Sequence, residues 1–164
     1  MNPIRRWSAV VVIGLALFVS SACGSDGVTI PTSDGDVTID QDEGQVSLDD
    51  GEGNSFSTSA ELPDGFPEDD VPIVEGTIVQ GVAVDQDGSA GFSVTLEVDG
   101  SVAEVYDEAK GLLEDAGFTS SLDSSGQGFA TAGYDDGTWT VLVNVGEIGD
   151  TSSVSYTVAK SGQF

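Results

Sequence analysis

The sequence predicts an α+β domain, a two-layer sandwich in which one helix packs on a mostly antiparallel sheet, in the order β-β-α-β-β-β-β. Two patterns support this prediction. Residues 92–98 alternate strictly between apolar and polar side chains, which is typical of a strand with one buried face. Residues 101–117 instead carry apolar side chains at helical spacing. Because a lone amphipathic helix needs a second layer on which to bury its apolar stripe, the sheet is its expected partner.

The first two predicted strands, residues 73–84 and 92–98, flank an acidic segment that begins at Asp85. This segment starts like an EF-hand calcium loop. Its sixth position, however, is Ala90, where glycine is required, and its twelfth is Leu96, where glutamate is required. We therefore predict a hairpin turn here rather than a calcium site.

The predicted helix has a start signal and a stop signal. Ser101 and Glu104 have the Ser-x-x-Glu spacing of a capping box, in which each side chain satisfies a free backbone N–H. Gly117 supplies a left-handed stop, after which Phe118 is placed to fold back on Leu113. The apolar stripe consists of Val102, Val105, Ala109, Leu112, Leu113 and Ala116.

Four further strands are predicted after the helix, at residues 118–122, 129–134, 138–145 and 154–160. Asp136-Gly137 is a tight-turn signal between the middle two. A single helix covers only one side of such a sheet, and the other side is predicted to carry mostly Ser, Thr, Asp and Gly. That side is either plain solvent surface or a flat polar binding surface.

The charge balance is strongly negative, with 29 Asp and Glu against 4 Lys and Arg and a formal net charge of −25. Removal of residues 1–22 would also remove Arg5 and Arg6, which leaves two lysines and a charge of 2 − 29 = −27. Such a chain repels nucleic acid phosphates, so we expect no nucleic acid partner. It also repels anionic lipid head groups, so membrane attachment would require a lipid or a hydrophobic segment.

Residue types that most catalytic and metal sites use are scarce. The chain has one cysteine and no histidine, which excludes an internal disulfide, cysteine-rich zinc sites and nucleophile systems that use histidine. We expect no cofactor, no metal site and no catalytic residues, and therefore no enzyme. One enzymatic alternative stays open, a glycosidase that uses paired carboxylates.

The N-terminus has the pattern of an export signal. Arg5 and Arg6 are followed by an apolar run, residues 7–19, and by small residues up to Cys23. The stretch Val19-Ser20-Ser21-Ala22-Cys23 resembles the lipobox of bacterial lipoproteins, with Ser20 where leucine is favoured. The resemblance implies a signal peptide over residues 1–22, acylation of Cys23 as the lipidation site, and a location on the outer face of the cell membrane. The alternative, an uncleaved signal anchor, would need a longer apolar run to cross a bilayer.

Two further stretches resemble small lipoproteins of Gram-positive bacteria. The Gly-rich, Asp-rich and Lys-poor composition after Cys23 is similar to lipoproteins of high-GC species. The Leu-Pro, Phe-Pro and Val-Pro run within residues 62–72 is similar to a segment ahead of small, mostly uncharacterised lipoprotein domains. We predict that Leu62, Phe66 and Val71 anchor this run on the folded domain, which spans residues 61–164.

Residues 23–60 are acidic and rich in Gly and Ser, and they contain a weak repeat of nine. Its units begin near Val28, Val37 and Val46, and each has two apolar residues at alternate positions followed by an acidic turn with glycine. The composition favours a tether. The alternation leaves a small three-stranded meander open.

The function predicted from these features is a lipid-anchored, monomeric and non-catalytic binding module. Its partner would be a protein, a glycan or a cation near the cell envelope. A second possibility is an acidic inhibitor of a basic extracellular protein, because strong negative charge attracts cationic partners over long distances. A solute-binding transport subunit is disfavoured, because the domain is too small for a two-lobed cleft.

Overall fold

The computed structural model describes residues 27–32, 35–40, 44–86 and 88–163. These residues form ten strands and one helix. The strands are β1 (Val28–Thr32), β2 (Gly35–Asp40), β3 (Gln45–Asp49), β4 (Ser55–Ser59), β5 (Thr77–Gln86), β6 (Ser89–Asp99), β7 (Thr119–Gly126), β8 (Phe129–Asp135), β9 (Trp139–Ile148) and β10 (Thr151–Lys160). The helix α1 (Val102–Asp115) lies between β6 and β7 in the chain.

All ten strands belong to one antiparallel sheet, in the order β1-β2-β3-β4-β5-β6-β10-β9-β8-β7. The chain runs as a meander from β1 to β6, crosses over through α1 to the far edge, and returns from β7 to β10 beside β6. The predicted α+β class, one helix on a mostly antiparallel sheet, is confirmed.

The predicted order β-β-α-β-β-β-β is wrong in its strand count, because four strands precede it. The nine-residue repeat forms β1, β2 and β3, which pair in register, with Ile30 opposite Val37 and Val37 opposite Leu48. β4 then joins this meander to the edge of β5. Strands with two apolar side chains each are marginal alone, and pairing with an existing sheet edge provides the partner that they need.

The helix α1 covers one side of the sheet, here called the inner face, and contacts β8, β9 and β10. Val105, Ala109 and Leu113 of the helix are buried against it. The strands contribute alternate residues to the same core, among them Val94, Val141, Val143, Val154, Tyr156 and Val158, all fully buried. The side that α1 does not cover is called the outer face.

Both helix signals are confirmed. The Ser101 N–H donates to Glu104 Oε2 at 3.0 Å, and the Glu104 N–H donates to Ser101 Oγ at 3.4 Å. At the other end, the Phe118 N–H donates to the Leu113 carbonyl and the Gly117 N–H to the Glu114 carbonyl, both at 3.0 Å. Gly117 has φ +95°, a conformation that glycine adopts without strain.

Residues 60–76, which connect β4 to β5, cover the part of the inner face beside α1. Phe66 and Val71 are buried there, as predicted, and Leu62 packs against the core. The Phe66 ring meets the Phe92 ring edge-on, with centroids 5.8 Å apart. The Tyr156 hydroxyl accepts a hydrogen bond from the Val74 N–H at 3.2 Å. This connection supplies the cover that one helix cannot give to so wide a sheet.

The two predicted turns are present. β5 and β6 pair up to Gln86 opposite Ser89, so the calcium-like segment lies within a β-hairpin. Between β8 and β9, Asp136 Oδ1 accepts hydrogen bonds from the N–H groups of Thr138 at 2.7 Å and Trp139 at 2.6 Å. An aspartate that accepts backbone N–H groups two and three residues ahead stabilises a tight turn.

Asp135 links the end of β8 by hydrogen bonds to β9 and to the residue that follows β10. Its Oδ2 accepts hydrogen bonds from Thr140 Oγ1 at 2.6 Å and Ser161 Oγ at 2.8 Å, and its Oδ1 accepts one from the Gly137 N–H at 2.8 Å. These donors, Thr140 first, hold the pKa of the Asp135 carboxyl below its ordinary value of 3.8. The ionised carboxylate therefore stabilises the folded chain above that pH.

We expect acidification through the range below pH 3.8 to lower the free energy of unfolding, because in that range the unfolded chain binds the Asp135 proton first. Asp135→Asn removes this contribution, so its stability should fall less steeply with pH. Urea denaturation at a series of pH values from pH 5 down to pH 2 measures the slope. Asp150→Asn, in the exposed β9–β10 turn, is the control. Equal slopes for the wild type and Asp135→Asn would contradict the assignment.

Candidate functional site on the outer face of the sheet

The outer face of β1 to β5 carries a continuous set of apolar side chains. Residues directly opposite one another in paired strands share a face, so the register defines two rows that cross all five strands. The first row is Ile30, Val37, Leu48, Phe56 and Val84, and the second is Val28, Ile39, Val46, Thr58 and Val82. These ten residues, nine of them apolar, are called the apolar face.

The apolar face is open to solvent in the described part of the chain. Val28 is 52% exposed, Ile30 49%, Leu48 42% and Phe56 40%, and Val46 and Val84 are exposed as well. Soluble monomers rarely leave contiguous apolar patches larger than roughly a few hundred Å² uncovered. A face of this width on one side of a sheet therefore indicates a contact surface.

Charge is segregated between the two sides of the same strands. The alternate positions of β2, β3 and β5 place Asp36, Asp40, Asp49 and Asp85 on the side opposite the apolar face. Among the described residues, no strand position on the outer side of β1 to β5 carries a charge. The carboxylates of these strand positions are thus directed away from this surface.

The outer face of β6 to β10 has a different character, dominated by Ser and Thr. Ser93 and Thr95 lie opposite Thr157 and Ser155 of β10, and these four side chains are half-buried. Further along, Thr131 Oγ1 donates to Asn144 Oδ1 at 2.9 Å. The prediction of a polar outer face is confirmed for this half of the sheet. It is wrong beside β5, where Val82 and Val84 continue the apolar face.

A cleft of about 740 Å³ lies on the inner side, at the first turn of α1. Val102 and Tyr106 of the helix form one wall, and Phe129 and Glu147, next to the β7–β8 and β9–β10 turns, contribute to the other. At the helix end that borders the cleft, Ser101 and Glu104 satisfy each other's N–H groups in the capping box. The exposed lining is mainly apolar, and its charged groups are the carboxylates of Asp107, Glu147 and Asp150. Because these charges border it, the cleft is a weaker candidate for a contact surface than the apolar face.

The solvent side of α1 is acidic, with Glu104, Asp107, Glu108, Glu114 and Asp115 exposed. Its one cation, Lys110, pairs with Asp123 at 3.2 Å and with Glu114 at 3.9 Å. A hollow of about 420 Å³ beside the helix is lined by four carboxylates, those of Glu75, Glu97, Asp99 and Glu108. Within the described ranges, no group of three or more His, Cys, Asp or Glu is arranged to hold a metal ion.

Cys23, the lipidation site predicted from the sequence, lies outside the described residues, whose first member is Gly27. The structure therefore leaves that prediction as it stands. In the described ranges, no helix has both the length and the apolar character needed to cross a membrane.

Comparison with protein-family models, with curated proteins and with solved structures finds no match to this chain. The candidate surfaces are therefore judged on their own geometry. On exposure, width and absence of charge, the apolar face ranks above the cleft and the acidic side of α1.

The apolar face is the feature that the sequence analysis missed as a site. Its signal was present in the alternation of Val28 with Ile30, Val37 with Ile39, and Val46 with Leu48. In the sequence, this alternation leaves a three-stranded meander open but does not identify a surface, because the direction of the apolar side chains depends on how the meander joins β5.

Proposed function

We propose that this protein is a lipid-anchored, extracytoplasmic binding module without catalytic activity. It is held at the outer face of the cell membrane through an acylated Cys23 and acts as a monomer. The observation that carries the binding role is the apolar face, which is wide, exposed and free of charge on a chain that is otherwise strongly acidic. A surface of this kind is costly to leave in water and is favoured where another apolar surface covers it.

The sequence that precedes the first strand supports the proposed anchor. Residues 1–22 combine a basic head, an apolar run and small residues directly before the single cysteine. The first strand begins at Val28, so an acylated Cys23 would lie five residues from the sheet. The anchor would therefore hold the folded part close to the bilayer.

The absence of catalysis is supported by the carboxylates. A glycosidase needs a carboxyl with a raised pKa as its general acid. In the part of the chain that the structure describes, the carboxyl groups whose pKa departs from the ordinary range are shifted downward instead, because hydrogen-bond donors stabilise the ionised form. These groups are Asp50, Glu104, Asp123 and Asp135.

An acidic inhibitor of a basic extracellular protein is the second candidate, and the carboxylates on the solvent side of α1 favour it. The two functions differ in their response to salt. Ionic attraction at an exposed surface is screened as ionic strength rises, whereas apolar contact is not. Binding that disappears at high salt and is unaffected by Phe56→Ser would favour the inhibitor.

The anchor is tested by fractionating bacteria that express the full chain. We expect the wild type in the membrane fraction, resistant to a high-salt wash, with residues 1–22 removed and a diacylglyceryl group on Cys23. Cys23→Ala should lose both the lipid and the membrane attachment. Mass spectrometry of the N-terminal peptide gives the readout. An unmodified wild-type chain that still carries residues 1–22 would overturn the proposal.

A further inference from the structure

We propose that the apolar face rests on the outer leaflet of the lipid bilayer that holds the anchor. This inference names the partner of the surface described above, and it rests on the lipidation of Cys23 in the proposed function. The occupant is therefore a lipid surface, contacted by side chains of β1 to β5. The covalent lipid and the apolar face would together give two points of attachment.

The length of chain between the anchor and the sheet limits where the bilayer can be. Val28, the first residue of β1, follows Cys23 by five positions. A fully extended chain covers at most about 3.6 Å per residue, so the two lie within about 18 Å of each other. The anchor therefore keeps β1, an edge strand of the sheet, near the head-group region.

The width of the apolar face is similar to the distance of about 18 Å that the chain between Cys23 and Val28 can span. β1 to β5 are neighbours in the sheet, and adjacent strands lie about 4.8 Å apart, so the five strands span roughly 20 Å. The face is anchored at one edge, by β1. A face of this size that is anchored at its edge can lie along the membrane surface without any change in the fold.

The distribution of charge selects which side of these strands meets the bilayer. Contact through the opposite side would press Asp36, Asp40, Asp49 and Asp85 against the head groups. Contact through the apolar face directs these four carboxylates away from the lipid and buries exposed side chains such as Ile30, Leu48 and Phe56. Interfacial binding strengthens with the apolar area that enters the boundary between head groups and acyl chains.

A second copy of the chain is a less favourable occupant of this face. Two mature chains would bring two formal charges of −27 into one assembly, and like charges repel. A neutral lipid surface carries no such penalty. The orientation that we propose leaves α1 and its exposed carboxylates facing away from the membrane.

The test attaches the mature chain, residues 23–164, to phosphatidylcholine vesicles through a maleimide lipid. Because Cys23 is the single cysteine, the coupling is specific and does not depend on native acylation. Failure of the docking and failure of the biological anchor are therefore separate results, since the anchor is tested by mass spectrometry of cell-derived protein.

Depth is measured with one added tryptophan and with brominated acyl chains, which quench tryptophan fluorescence on contact. Phe56→Trp places the probe within the apolar face. Ser124→Trp places it on the same outer face at the far edge strand, β7, where residue 124 is exposed. The wild type, in which Trp139 is the one tryptophan after residue 22, provides the background signal.

We expect brominated lipid to reduce the added emission of Phe56→Trp by about half or more and to leave Ser124→Trp unchanged. Adding Ile30→Ser to Phe56→Trp should weaken the quenching. Circular dichroism checks the fold, and Val46→Trp replaces Phe56→Trp if that variant does not fold. The proposal is overturned by quenching at neither probe, by equal quenching at both, or by a face-to-face dimer whose formation removes the quenching.

Discussion

Replacing Trp139 with alanine is expected to lower the free energy of unfolding by about 3–5 kcal/mol, the range for deletion of a large buried aromatic side chain. Trp139 is 6% exposed and packs near the Phe92 ring, with centroids 6.5 Å apart. Its Nε1–H donates to Asp70 Oδ2 at 3.2 Å, and Lys160 Nζ lies 3.5 Å from the centre of its ring. The side chain lies on β9 and therefore links the 60–76 connection to β6, through Phe92, and to β10, through Lys160.

Trp139→Phe separates packing from polar contacts. Phenylalanine keeps most of the apolar volume and loses the bond to Asp70, so this variant should be destabilised less than Trp139→Ala. Chemical denaturation followed by far-ultraviolet circular dichroism measures both. A loss below about 1 kcal/mol for Trp139→Ala would contradict the central position assigned to this residue.

Gly81→Ala is expected to be strongly destabilising, although it adds only one carbon. Gly81 is buried on the inner face of β5, where the 60–76 connection crosses it. A Cβ at this position would overlap the Glu61 carbonyl oxygen and lie 2.9 Å from Pro63 Cδ. Because the first of these neighbours is backbone, the connection must move. Forced overpacking typically costs about 1–3 kcal/mol and sometimes more.

Gly91→Ala is the matched control in the adjacent strand, β6. A Cβ at Gly91 would meet only the Val158 carbonyl oxygen, at the comfortable distance of 3.9 Å. Where alanine fits without strain, it stabilises by about 0.4–1 kcal/mol through the unfolded chain. Thermal or urea denaturation should therefore shift the two variants in opposite directions. Equal effects would show that the connection does not cross β5 as described.

The domain from β5 to β10 could be predicted because its signals are local. Alternation fixes a strand, and the Ser101–Glu104 box and Gly117 fix both ends of α1 within a few residues. The meander of β1 to β4 could not be predicted with the same certainty. Whether a short strand with two apolar residues folds depends on an available partner, and the free edge of β5 is a property of the tertiary structure.

Prediction of the candidate site from the sequence meets the same limit. Composition describes a uniformly acidic chain, whereas the structure places Asp36 and Asp49 on one side of the strands and Val37 and Leu48 on the other. Alternation within each strand is visible in the sequence. The alignment of five strands so that every apolar row falls on the same side depends on register, which local patterns do not specify.

Because β1 to β4 join the sheet only at the edge of β5, two parts of the same sheet differ in their resistance to unfolding. No residue of these four strands belongs to the buried cluster beneath α1, so their stability comes from strand pairing and from whatever covers the apolar face. Openings of β1 to β4 can therefore occur while β6, β10 and α1 stay intact, as in proteins that unfold in cooperative units. These four strands would then be a local unfolding unit of low free energy, ordered most fully when another surface covers the apolar face.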